Sequence, residues 1–251
     1  MSRVGRVRAE ATAAWHSFLR RRVAVFFTFV FPLLLVVIFG AVVQTRPTGG
    51  GLFTEPPAYY VAGYLSVVVL FTPLSRVGSE VARHREGARF EKLATTPLTR
   101  AEWLLAQTLV NVVIIGVASL LILALVVLAT GAAVPANPVV ALVVAFVALA
   151  VALFCGIGAL LGSVVDSQDG VVAASNAIAL PLVFLSETFV PPSLLPGWLP
   201  TWLSPLTYFA RGVRAVTYPA AAGTAWLDLV VLAALTVAFF AAGAIALPQT
   251  D

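Results

Sequence analysis

Residues 103–165 read WLLAQTLVNVVIIGVASLLILALVVLATGAAVPANPVVALVVAFVALAVALFCGIGALLGSVV, a stretch without a single Asp, Glu, Lys or Arg. A helix needs about 20 predominantly apolar residues to cross the hydrocarbon of a bilayer. This run is too long for one crossing and long enough for two. Its own punctuation divides it, because Thr130-Gly131 and Pro135-Ala136-Asn137-Pro138 interrupt a helix. Two more runs, 23–43 and 56–75, are also free of charge. Across 251 residues the chain is 61% apolar and 10% charged, against roughly 45–50% and about 25% in soluble domains. An ordinary soluble domain, a disordered chain and a disulfide scaffold are thereby excluded. The predicted class is an all-α integral membrane protein, with residues 1–251 forming a single transmembrane domain.

Working outward from that stretch gives six transmembrane helices: 23–43, 58–75, 103 to about 130, 138–165, 171 to about 189, and 225–247. Before the first, residues 2–22 carry six arginines. There Val4, Val7, Ala11, Trp15 and Phe18 fall at steps of three and four, which predicts an amphipathic interfacial helix holding its arginines near anionic lipid. The apolar run after Arg22 exceeds the 7–15 residues of a secretory signal, so this segment reads as a retained helix. Residues 76–102 form the longest hydrophilic stretch, with six basic and four acidic residues. Residues 190–219 contain six prolines, two tryptophans, Arg211 and Arg214. Such broken backbone is tolerated at membrane depth only where protein or a cavity surrounds it, and an extracellular re-entrant hairpin between helices five and six is expected.

The charges orient the chain. Six basic residues lie in the N-terminal segment and six in 76–102, whereas only Arg46, Arg211 and Arg214 fall on the opposite side. The positive-inside rule then puts both termini and the long loop in the cytoplasm of a multi-pass cell (plasma or inner) membrane protein. Basic residues clustered at span ends orient a chain, so the net charge of +4 does not call for nucleic acid. The single Cys155 has no partner for an intrachain disulfide.

Several chemistries are missing. A P-loop requires Gly-Lys-Ser/Thr, but the sole lysine is Lys92, between Glu91 and Leu93. His16 and His84 are the only histidines, which leaves no zincin motif and no intramembrane Ser–His or Cys–His pair. The chain is expected not to be an enzyme and to hold no cofactor or metal of its own. Apolar spans with few fixed charges favour an amphipathic or lipid-like cargo. A secondary transporter would need ionisable groups inside the spans and commonly an internal repeat; the spans offer almost no such groups and no convincing repeat is present. A non-transporting membrane scaffold is the remaining alternative.

Within 76–102, Thr99-x-x-Glu102 has the form of a capping box opening the third span. Phe90 and Leu93, three apart among charges, read as a docking surface for another protein. The pattern Glu86-Gly87-x-x-x-Glu91-x-Leu93-x-x-Thr96-Pro97-Leu98-Thr99-x-x-Glu102 resembles the cytoplasmic loop of type-2 ABC exporter permeases. Phe184-Leu185-Ser186-x-x-Phe189-Val190-Pro191, Leu195-Pro196-Gly197-Trp198-Leu199 and Ser204-Pro205-Leu206-x-Tyr208 with Arg211 are similar to that family's fifth helix and the re-entrant hairpin after it. Phe31-Pro32-Leu33 leading to Phe39-Gly40 matches in the first span. The resemblance implies a membrane path built by two permease chains, homodimer or close paralogues, with ATP and Mg bound by a separate ATP-binding cassette ATPase subunit. It further implies that Arg83, Glu86, Gly87, Phe90, Glu91 and Leu93 form the coupling helix seated on that ATPase.

Glu187 departs from the family, which usually carries a small residue there. A carboxylate in a span costs about 2.5–3.5 kcal/mol on insertion scales, so Glu187 is a candidate gate or substrate-path residue, to be paired with Arg211 and Arg214. Pro181 joins that set as a kink in the fifth span. Gly156-x-Gly158-x-x-x-Gly162 is expected to bring helices into close contact.

Overall fold

The structure is a computed structural model, and it describes residues 2–38, 55–132, 134–135, 138–218 and 225–248. The described residues fold into nine α-helices and short 3₁₀ turns, with no strand among them: α1 (Arg3–Arg20), α2 (Arg22–Val36), α3 (Val61–Glu86), α4 (Arg89–Ala94), α5 (Arg100–Thr130), α6 (Leu142–Val164), α7 (Gln168–Phe184), α8 (Pro205–Thr217) and α9 (Ala225–Ala246). Among the described residues, four helical segments are long and apolar enough to cross a membrane: Pro57–Glu86, Arg100–Thr130, Val139–Val164 and Ala225–Ala246. α2 and α7 are apolar but shorter, at 15 and 17 residues. The expected first span, 23–43, extends past residue 38, where this described stretch ends.

α3 is the centre of the bundle and is buried along most of its length. Its junction with α6 has glycine on both sides. A Cβ on Gly158 would stand 2.5 Å from the carbonyl oxygen of Leu74, and one on Gly78 would stand 2.9 Å from that of Gly158. α6 meets α9 in the same way, for a Cβ on Gly243 would stand 2.5 Å from the Gly156 oxygen. The glycine set of the sequence therefore packs helices backbone to backbone, as close contact in a membrane requires.

Two boundaries differ from the sequence reading. α3 does not stop near Ser75 but continues to Glu86, because Arg76, Glu80 and Arg85 find partners on neighbouring elements and need no loop to reach water. α7 ends at Phe184, so residues 185–189 form a turn beyond the helix. At α1, Phe18 and Ala14 are buried while Val4 is 77% exposed. The apolar stripe thus faces α5 and α3: Arg6 pairs with Glu102 at 2.5 Å, Gln107 donates to Glu10 at 3.2 Å, and the Arg76 guanidinium lies 4.7 Å from the Phe18 ring centre.

Candidate functional site

Helix ends gather into two polar regions. At one end lie the end of α3, the start of α5, the ends of α6 and α9, and the start of α7. Glu80 accepts from Arg21 at 3.3 Å, pairs with Arg83, and stands 3.5 Å from Nδ1 of His84. Arg85 donates to the carbonyls of Gly162 and Val165 at 3.1 and 3.0 Å. Arg100 donates to those of Ile245 and Leu247 at 3.1 and 2.5 Å. Both arginines satisfy the orphan carbonyls of a helix C-terminus, where the backbone dipole also favours a cation. These contacts were not legible in the sequence, since a backbone carbonyl carries no side-chain signature.

The loop itself is broken where one helix was expected. α3 ends at Gly87, and Ala88 takes a left-handed conformation with φ 48°, so Arg83 to Leu93 splits into the last turn of α3 and the separate α4. Glu86, Gly87, Arg89, Glu91 and Lys92 are exposed. Phe90 is only 8% exposed. Its ring packs 5.3 Å from His84 and 5.5 Å from Trp103, so it is held within its own chain and is not free to enter a partner's pocket. Leu93 is half-buried against the same core. Of the six loop candidates, then, Glu86, Gly87 and Glu91 present themselves outward, Phe90 and Leu93 fix the loop to the bundle, and Arg83 pairs with Glu80 on its own helix. The capping box forms as expected: Glu102 N–H donates to Thr99 Oγ1 at 3.2 Å, and Thr99 N–H donates to Glu102 Oε2 at 3.0 Å.

At the other end, the turn after α7 is clamped to α8. Glu187 is 3% exposed, and both its carboxylate oxygens meet Arg211, the Nε donating to Oε2 at 2.8 Å. Thr201 Oγ1 lies 3.4 Å from the same carboxylate. Arg214 donates to the carbonyls of Glu187 and Thr188 at 2.7 and 3.3 Å, and its guanidinium sits 3.9 Å from the centre of the Tyr59 ring, a cation–π contact in the 3₁₀ turn that leads into α3. Phe189 covers Gly63, where a Cβ would meet its ring at 2.8 Å. The three charged residues set apart in the sequence therefore form one cluster. Pro181 does not join it and lies on the exposed side of α7. The segment after α7 contains 3₁₀ turns at Pro192–Leu194 and Thr201–Leu203 before α8, with Trp198 80% and Trp202 64% exposed.

A bundle of long apolar helices, with one densely basic end and one clamped end, is the architecture of a polytopic membrane protein. A sequence model of the ABC-2 type transporter membrane domain matches residues 6–218, and the chain belongs to that family of ABC transporter permeases. Comparison with individually curated proteins finds no match.

Proposed function

We propose that this chain is the membrane-spanning subunit of an ATP-driven exporter that moves an amphipathic or lipid-like substrate out of the cytoplasm or inner leaflet. The observation that carries this reading is the family match over residues 6–218. In this reading α2, α3, α5, α6, α7 and α9 all cross the plasma or inner membrane. Both termini and the 76–102 loop face the cytoplasm, and ATP with Mg is hydrolysed on a partner ABC ATPase. A second permease chain completes the path, and membrane lipid surrounds it. The chain performs no catalysis of its own. Support for the orientation comes from the alternating direction of the six helices and from twelve of fifteen basic residues in two segments that meet at one end.

Glu86, Gly87 and Glu91 offer the surface for the ATPase, and Phe90 makes that surface rigid by joining α4 to α3 and α5. The Glu187–Arg211 pair, with Arg214 beside it, is the closed outer gate: opening separates α8 from the turn after α7. Co-expression with the cognate ABC ATPase tests this reading. The tagged permease is expected to recover the ATPase, and ATP turnover is expected only in the complex. Failure to recover it, or turnover by the purified permease alone, refutes the reading.

A further inference from the structure

We infer that the elbow between α1 and α2 is a binding site for one anionic phospholipid of the adjacent leaflet. Arg21 leaves the helical conformation at φ −92°, ψ 79° and separates the two helices. At this bend Ala13, His16, Ser17, Arg20 and Arg21 line an open depression of about 470 Å³, and the lining contains no carboxylate. Arg21 is already engaged by Glu80. His16, Arg20 and Arg22 are exposed and have no hydrogen-bond or ion-pair partner among the described residues. Immediately beyond them α2 turns an apolar stripe outward: Val23 is 71% exposed, Phe26 46%, Phe27 57% and Leu34 47%. Two guanidinium groups with no protein partner, set at the start of an exposed apolar stripe, match a phosphodiester headgroup joined to acyl chains. A free phosphate would leave the stripe uncovered, and an acidic peptide would find no apolar groove at headgroup level. The other exposed arginines of α1, Arg3 and Arg8, lie several turns away and have no such stripe beside them.

Each arginine near an anionic surface contributes about 1 kcal/mol, or roughly fivefold in affinity. Replacing both Arg20 and Arg22 by Gln is therefore expected to weaken binding about thirtyfold. The test uses the full-length purified chain, titrated in mild detergent with phosphatidylglycerol, phosphatidylcholine or inorganic phosphate. Retained lipid is counted by native mass spectrometry and Tm is followed in parallel. The expected result is one phosphatidylglycerol per chain with a raised Tm, neither effect with phosphatidylcholine or phosphate, and loss of both in Arg20→Gln/Arg22→Gln. Arg20→Lys/Arg22→Lys, which keeps the charge, is expected to restore most of the binding. Arg3→Gln/Arg8→Gln, with the same charge loss elsewhere on α1, is expected to leave it unchanged. Equal loss in that control means a diffuse surface potential and overturns the site. A Tm rise with inorganic phosphate alone, or a change in oligomeric state in place of lipid loss, also overturns it. The outcome does not depend on recovery of any ATPase.

Discussion

Arg211→Ala should be far more damaging than removal of the residue it pairs with. The Glu187 side chain is 5% exposed and that of Arg211 is 44% exposed. Without Arg211 the carboxylate keeps only the 3.4 Å contact with Thr201 and stays out of water, a loss of about 3–5 kcal/mol by analogy with other stranded buried charges. In Glu187→Gln the half-exposed guanidinium is solvated and the amide oxygen still accepts, so the loss is about 1 kcal/mol. Neutralising both, as Glu187→Gln/Arg211→Gln, removes the stranded charge and should return most of the stability. At about 2–4 °C per kcal/mol for chains of this size, thermal unfolding of the detergent-purified variants should show Arg211→Ala lowered on the order of 10 °C and Glu187→Gln by a few degrees. The double variant should lie near the latter. Equal losses for the two single variants, or a double variant showing their sum, would refute the asymmetric-burial argument.

Three other outcomes follow from the packing. Phe90→Ala empties a buried aromatic site and should destabilise the loop by about 3–5 kcal/mol, read as faster proteolysis within 86–98, whereas Arg89→Ala, at an exposed position, should leave the cleavage rate unchanged. Gly158→Val drives a side chain into the α3 backbone and should cost about 3 kcal/mol or more, with a corresponding fall in the yield of monodisperse protein, while Gly197→Ala, which meets open space, should be silent. Burial holds the Glu10 carboxyl above its ordinary value of 4.5, so the folded chain disfavours its ionised form. That penalty is absent below the unfolded value and complete above the raised one. Glu10→Gln should therefore gain Tm over the parent near neutral pH and lose the advantage as pH falls toward 4.5; a constant difference would disprove it.

The long apolar helices were legible because charge-free runs and breakers such as Gly131, the left-handed C-cap of α5 at φ 65°, leave few alternatives in a bilayer. The Glu187–Arg211 pairing was legible too, since charges stranded at one depth need each other. Phe90 misled because an aromatic among charges looks exposed when only its neighbours in sequence are considered. Its actual neighbour, Trp103, lies beyond the Thr96-Pro97 break on the next helix. The extension of α3 past Ser75 was hidden for a related reason. Arg76 reads as the first residue of a loop until Asn111 and the Ala14 carbonyl are seen to receive it at 3.1 and 3.4 Å. The glycine motif announced close approach, but its counterparts Gly78 and Gly243 sit on separate helices with no pattern linking them to it.

Where α3, α6 and α9 touch through glycine, no layer of side chains lies between them to change rotamer or slide. These three helices form a closely packed chassis. A transport cycle that needs parts to shift must find its play around them, in α7, α8 and the α1–α2 arm. Under the proposed function, a push on the 76–102 loop would meet this chassis through Arg85, which holds the end of α3 to the end of α6.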